Sequence, residues 1–307
     1  MSLLLFPLRP ARAGHWAAPA NCVIIQTDQV GFSRNAMTTS KPPGVYPLDY
    51  AEYEAGAWRE VAHAVTAETL LRIHVNGREL ATFMCTPHEQ DELALGFLRA
   101  EGVIQTLDDV RRIVVCPSGA CVEVWLQDAE AELPAAGRRI VTSGCGGGVT
   151  FDDLTEGLPS LNTATTLAPA SLFERMRDLY RAAALYGVTQ GLHASALTDG
   201  ERLLAVAEDV GRHNTVDRLW GKALKRGLDT TGLILLATGR ISSEMLGKAA
   251  KMGVPIVASR TSPTSLSVKL GRALNITIVG YVRREHFRVY SAPYRLRPAP
   301  TSAVPSD

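Results

Sequence analysis

Gly232-Leu233-Ile234-Leu235-Leu236-Ala237-Thr238-Gly239-Arg240-Ile241-Ser242-Ser243-Glu244 decides the fold. An apolar run of strand length stops at a glycine-arginine pair, and hydroxyl residues of the N-cap type then open a helix. The pattern repeats downstream: an apolar run at 254–258, then Ser259-Arg260-Thr261-Ser262-Pro263-Thr264, a helix over 264–274, and a third apolar run at 276–282. Upstream, residues 191–197 and 202–207 form a hairpin about Asp199-Gly200, and Gly211-Arg212-His213-Asn214 leads into a helix over 214–225. A helix over 172–185 precedes these, with Leu172, Met176, Leu179 and Ala183 on one face and Gly187 as its stop. The order α-β-β-α-β-α-β-α-β, closed by right-handed crossovers, predicts an α/β domain whose later strands lie parallel between two helix layers.

The first half is written differently. Residues 71–75 and 78–85 flank Asn76-Gly77, both of which tolerate the positive φ of a tight hairpin. Thr86-Pro87-His88-Glu89 has the form of a capping box with proline at the first helical position. Leu93, Leu95, Phe97 and Leu98 follow in a helix that runs to about Glu101, where Gly102 stops it. Residues 60–113 therefore read as a small α+β unit, within an expected domain over 46–138. A larger domain is expected over 149–298. Between them, residues 139–148 contain Ser143-Gly144-Cys145-Gly146-Gly147-Gly148, by composition the most mobile stretch. Residues 1–45 are expected to be a disordered tail or an overlong gene start, and 299–307 a second tail.

The chain has 307 residues, 46% of them apolar and 21% charged, a globular composition with room for about two domains. No apolar run approaches the roughly 20 residues of a membrane span. The net charge of +1 argues against a nucleic-acid binder, but the charge is divided. Residues 1–190 carry 15 basic and 22 acidic side chains, whereas 191–307 carry 17 and 9. The second half is suited to an anion. Five scattered cysteines suggest no disulfide framework, so a reducing cytoplasm is expected. Cys116 and Cys121 flank Pro117-Ser118-Gly119-Ala120 and are expected to face each other across a hairpin as packing residues rather than redox groups.

Three helix starts, each carrying an arginine, should converge at the carboxyl edge of the sheet: Arg212-His213, Arg240 with Ser242-Ser243, and Arg260 with Thr264. Free helix N–H groups, hydroxyls and guanidinium groups together suit phosphate. The plainer reading is of N-caps beside solvated arginines. Neither a G-x-x-x-x-G-K-[ST] loop nor a G-x-G-x-x-G fingerprint occurs, which removes the main support for kinases, ATPases and dehydrogenases. Cys145, with a glycine on each side, is the candidate nucleophile, set against the reading of a mere linker. His193 lies in a strand, and His88 and His213 at helix starts, without C-x-x-C or H-x-x-x-H spacing, so no metal site is expected.

Phe83-Met84-Cys85-Thr86-Pro87-His88, Leu95-Gly96-Phe97-Leu98, Gly191-Leu192-His193-Ala194, Glu208-Asp209-Val210-Gly211-Arg212-His213-Asn214, Thr238-Gly239-Arg240-Ile241-Ser242-Ser243-Glu244 and Ser259-Arg260 with Pro263-Thr264 closely resemble the FdhD family of formate dehydrogenase accessory sulfurtransferases, over roughly residues 45–298. The resemblance implies a cytoplasmic homodimer with a cytidine-deaminase-like second domain. It further implies transfer of persulfide sulfur from a cysteine desulfurase to the molybdenum bis-guanine-dinucleotide cofactor that formate dehydrogenase needs. The cofactor-binding stretch it implies is Phe287-Arg288-Val289-Tyr290-Ser291-Ala292. Zinc deaminases place H-x-E and P-C-x-x-C where Arg212-His213-Asn214 and Arg240-Ile241-Ser242-Ser243 stand here, so deamination is not expected. The family's loop usually reads Cys-Gly-x-Cys, whereas Gly148 fills the second cysteine position. One thiol suffices for a persulfide; a two-cysteine relay within the loop does not operate. The competing expectation is a chaperone that binds the cofactor or its guanine nucleotides and has lost transfer chemistry.

Overall fold

The computed structural model describes residues 43–131, 133, 157, 158 and 160–296. The loop with Cys145, residues 1–42 of the first expected tail and the whole of the second lie outside the described residues, whereas residues 43–45 are described and Val45 opens a strand. Strands β1 (Val45–Glu54) and β2 (Ala57–Thr66) pair as an antiparallel ribbon, turning at Ala55-Gly56 with positive φ at both residues. The next sheet, in the order β4-β3-β6-β5, uses β3 (Thr69–Val75), β4 (Arg78–Cys85), β5 (Val110–Val115) and β6 (Cys121–Leu126). Asn76 and Gly77 turn between β3 and β4 with φ 49° and 78°, the conformation expected from their side chains. Leu71, Ile73, Val122 and Val124 pack from this sheet onto α1 (Gln90–Ala100), which buries Leu93, Phe97 and Leu98.

The second sheet has the order β12-β11-β10-β9-β7-β8. Its strands are β7 (His193–Thr198), β8 (Leu203–Asp209), β9 (Ile234–Ala237), β10 (Ile256–Ser259), β11 (Thr277–Arg283) and β12 (His286–Ser291). Strand β7 is antiparallel to both β8 and β9, so β8 to β11 all run one way. Crossover helices α4 (Arg212–Lys225), α5 (Ser243–Lys251) and α6 (Ser265–Ala273) pack on one face, where Val216, Leu219, Met245, Leu246 and Leu270 meet Leu197, Leu235 and Ile278. On the other face α2 (Pro169–Ala182) sets Leu172, Met176 and Leu179 against Ala196, Leu236 and Ile256. The expected order and three-layer α/β architecture are both present. A consequence is that the carboxyl ends of β8 to β11 and the amino ends of β7 and β12 share one edge.

Three local expectations give way to tertiary contacts. Helix α1 starts at Gln90, after Glu89 in the left-handed region, with no Thr86 cap. The Thr86 hydroxyl instead accepts the Val210 N–H at 3.0 Å, and its own N–H goes to Asp209 at 3.2 Å, so the second domain takes both groups a capping box would use. Gly187 is not a helix stop. The break falls at Ala183, and α3 (Ala184–Thr189) restarts because the Glu208 carboxylate accepts the N–H groups of Leu185 and Tyr186 at 3.1 and 2.6 Å. Cys116 and Cys121 do face each other across their hairpin, yet they are joined as a disulfide with their Cα atoms 5.3 Å apart, where packing alone was expected.

The domains meet through two helices that touch backbone to backbone. A Cβ at Gly96 in α1 would collide with the Asp217 carbonyl of α4, and one at Gly221 with the Glu92 carbonyl. Beside this seam Arg218 is fully buried. Its guanidinium holds Asp209 at 2.5 Å and donates to the carbonyls of Thr86, His88 and Glu89. Asn214 bonds Asp209 at 2.8 Å and the Met84 carbonyl at 2.9 Å. Much of the segment from Glu208 to Asn214 therefore builds the junction: Glu208, Asp209 and Asn214 are structural, and Arg212 and His213 remain for the edge.

Candidate functional site at the carboxyl edge

At the β7–β9 end of this edge the structure brings together His193, Arg212, His213, Arg240 and Ser242. Gly239 allows the approach, since a Cβ there would lie 3.0 Å from His193 Nδ1 and 3.1 Å from the Arg212 Cβ. His213 Nε2 lies 2.7 Å from the Ser242 hydroxyl, and its Nδ1 lies 3.3 Å from a Glu244 oxygen. Burial, opposed by Glu244, holds the His213 imidazole down to about pKa 4, so the ring is neutral. A proton on Nδ1 facing the carboxylate leaves Nε2 to accept from Ser242, whose oxygen also caps α5 by accepting the Met245 N–H at 3.2 Å. His213 and Ser242 are thereby committed to holding the α4 and α5 starts together.

The arginines are not so committed. Arg212 has a buried Nε without a hydrogen-bond partner, and burial together with Arg240 lowers its pKa. Burial, then Arg212 and Arg240, keeps His193 below its ordinary pKa. Two guanidinium groups converge here beside a neutral imidazole, a local excess of positive charge suited to an oxyanion.

Arg260 leaves the end of β10 in the other direction, with its guanidinium 5.4 Å from the Tyr180 ring centre. Burial lifts the Tyr180 phenol above its usual pKa against the opposing pull of Arg260. These two side chains line a cavity of about 390 Å³ between α2 and the β11–β12 turn, which Arg177, Arg283, Arg284 and Glu285 also line, along with the Phe173 ring. Among the described residues, Arg177, Arg212, Arg240, Arg260, Arg283 and Arg284 form no ion pair with a carboxylate within 4.0 Å. Thr264 caps α6 through a reciprocal bond with Ser267, and Ser243 is the first residue of α5, half-buried.

The stretch from Phe287 to Ala292 is strand β12 and its end. It runs from the cavity rim across the sheet to the opposite edge. Phe287 packs on Phe173 with ring centres 5.5 Å apart, and Arg288 lies over Tyr281 at 4.6 Å. Val289 pairs with Val279, and Tyr290 packs toward the crossover-helix core. Ser291 is buried between the Ile278 N–H and the Ile276 carbonyl, and the Ala292 carbonyl accepts from Thr277. Only the Phe287 end thus adjoins the cavity. Sequence reading missed Arg177, Tyr180, Arg283 and Arg284; the Arg283-Arg284 pair between two strands in the basic half is the signal that was available.

Cys145 lies outside the described residues, and the other cysteines within them are poor substitutes. Cys85 is fully buried, and burial together with Asp209 pushes its thiol up to about pKa 12. Cys116 and Cys121 are bonded to each other. Among the described residues no helix is long and apolar enough to cross a membrane.

The profile of the FdhD/NarQ family matches residues 66–297. The sulfur carrier protein FdhD of Bacillus subtilis (strain 168) is 36% identical over 253 residues, which cover 81% of this chain and 96% of that protein. The protein of the same name from Staphylococcus aureus (strain MRSA252) is 36% identical over 248 residues, 80% of this chain and 93% of its own. The crystal structure of a protein named as a formate dehydrogenase accessory protein from Desulfotalea psychrophila superposes with a TM-score of 0.69 at 29% identity, covering 83% of this chain and 100% of that one.

Proposed function

Since the chain belongs to the FdhD/NarQ family, we propose that it is a cytoplasmic sulfurtransferase serving formate dehydrogenase, with Cys145 as the sulfur-carrying residue and the carboxyl edge as the seat of the molybdenum bis-guanine-dinucleotide substrate. The observation that carries this reading is the cavity itself, where Arg177, Arg260, Arg283 and Arg284 line the wall beside Tyr180 and Phe173, and where, among the described residues, no carboxylate, that of Glu285 in the same lining included, lies within ion-pair distance of them. Guanidinium forks suit diphosphate oxygens, and the aromatic faces suit a purine. The second cluster, Arg212 with Arg240 and His193, supplies a further anion-holding point on the same edge.

The thiolate of Cys145 attacks the terminal sulfur of a cysteine desulfurase persulfide. A new S–S bond forms as the old one breaks, and the desulfurase cysteine departs as the thiolate. The carried sulfur then leaves for the metal of the substrate as sulfide. That step takes two electrons, which the substrate metal supplies by being oxidised by two, and Cys145 returns as a thiolate. Glycine at 148 restricts the loop to this single-thiol chemistry and is the observation favouring the chaperone reading.

Mass spectrometry after incubation with a desulfurase and cysteine separates the two. An added mass of about 32 Da on Cys145, absent in Cys145→Ser, supports transfer; an unmodified Cys145 in a protein that still binds GDP supports the chaperone. The implied homodimer is compatible with the β1–β2 ribbon, which exposes Tyr46, Tyr53 and Trp58.

A further inference from the structure

On the outer face of the four-stranded sheet, the face turned away from α1, stands a second group of chemistry-bearing side chains. Strands β3 and β6 run parallel, with Arg72 opposite Cys121 and His74 opposite Glu123. Strand alternation buries Ile73, Val122 and Val124 against α1 and turns His74, Cys121 and Glu123 to the outer face. The ligand atoms of these three lie within 4.8 Å of one another, all in half-buried residues open to solvent on one side. His74 Nδ1 is 3.2 Å from a Glu123 oxygen but out of line for a hydrogen bond, so this buried ring nitrogen has no hydrogen-bond partner. A fourth donor adjoins the group, because Cys116, whose sulfur is not one of the three atoms within 4.8 Å, is joined to Cys121. The turn that brings the two together is closed by its own backbone: the Cys116 N–H donates to the Cys121 carbonyl at 2.9 Å, and the Gly119 N–H to the Cys116 carbonyl at 2.8 Å. The sulfurs therefore stay adjacent whether or not they are bonded.

We infer that this corner is a metal site of the reduced protein, in which Cys116, Cys121, His74 and Glu123 hold one tetrahedral divalent ion of the zinc class, and that the disulfide is its ion-free, oxidised form. The donor set supports the choice of ion. Two thiolates and an imidazole favour Zn²⁺ over the hard, oxygen-seeking Mg²⁺ and Ca²⁺, and the spacing Cys-x-x-x-x-Cys is one that zinc sites use. Arg72, opposite Cys121, offsets the excess negative charge of two thiolates and a carboxylate around one divalent ion. The interconversion balances without involving the metal in redox chemistry. A dithiol reductant breaks the Cys116–Cys121 bond, is itself oxidised to a disulfide, and leaves two thiols; ion binding then releases both thiol protons to solvent. Cys116, Cys121 and Glu123 lie close together in the β5–β6 hairpin, but His74 comes from β3, and only the fold makes it their neighbour.

The test uses the full chain, reduced with a phosphine and desalted without oxygen, then titrated with Co²⁺ as a spectroscopic stand-in and with Zn²⁺ against a chromophoric chelator. One equivalent should bind with a sulfur-to-cobalt charge-transfer band, and the oxidised protein should show none. Cys116→Ser/Cys121→Ser should abolish the band, and His74→Gln and Glu123→Gln should each weaken Zn²⁺ at least tenfold with unchanged circular dichroism. The inference is overturned by a reduced wild-type protein without the band, by a band that survives in the double serine variant, or by an affinity indifferent to both His74→Gln and Glu123→Gln. Should the double serine variant fail to fold, Cys22→Ser/Cys145→Ser, which keeps all four ligands, decides: retention of the band supports the site, and its loss overturns it.

Discussion

Two sets of arginines lie within the same fold and have opposite surroundings. Arg218 at the domain seam has no exposed surface, pairs with Asp209 at 2.5 Å and donates to three backbone carbonyls. Arg260, Arg283 and Arg284 line an open cavity and form no ion pair among the described residues. A buried guanidinium needs a full complement of partners, because an uncompensated charge in the interior is severely unfavourable. An edge arginine left without a carboxylate keeps its donors for something that arrives from solution. The contrast assigns the first set to architecture and the second to a ligand, although both lie in the basic half of the chain.

The contrast breaks first at Arg218. Arg218→Met should lower stability by about 3–5 kcal/mol by leaving Asp209 and three carbonyls without their partner, measured by urea unfolding. GDP affinity of the protein that remains folded should be unchanged; a loss of affinity at full stability would reverse the assignment. The next largest effect concerns the neutral clasp between the two sets. The folded-state pKa of His213, about 4, lies below its ordinary 6.5, so the native protein binds fewer protons than the unfolded chain between these values. This stabilisation is complete above pH 6.5 and is lost as the pH falls to about 4, an effect of about 3 kcal/mol. Unfolding free energies measured from pH 7 to pH 4 should fall more steeply for the wild type than for His213→Gln, and parallel curves would remove the clasp from the argument.

Removing unpartnered charge should act on binding instead. Arg260→Ala/Arg284→Ala should weaken GDP at least tenfold, about 1.4 kcal/mol or more, and leave stability within about 0.5 kcal/mol. Calorimetric titration and thermal melting distinguish this from a structural role, which would show the reverse. The smallest effect belongs to the edge hydroxyl that caps a helix. Thr264→Ala should cost about 1 kcal/mol through loss of the α6 cap, with GDP affinity unaltered, and a binding defect without a stability defect would move Thr264 into the site.

The legible part of the molecule was whatever depends on neighbours in sequence. Continuous apolar runs at 232–237, 254–258 and 276–282, buried on both faces of the sheet, and the helical spacing of Leu172, Met176 and Leu179, buried on one face, are local consequences of burial, so they persist in β9, β10, β11 and α2. The arginines at the helix starts were legible for the same reason. The Thr86 capping box was locally sound and was displaced by Asp209 and Val210, more than a hundred residues away. The Gly187 stop was displaced by Glu208 in the same way.

By itself the sequence determined the element order, the parallel core and the concentration of positive charge at one edge, because periodicity and crossover handedness act over a few residues and leave little choice. Only the tertiary structure decided which charges are spent internally and which face outward, that Phe287 rather than Ser291 adjoins the cavity, and that His74 and Glu123 meet a cysteine pair. Those outcomes depend on distances between segments far apart in the chain, and such distances are set by packing rather than by spacing along the sequence.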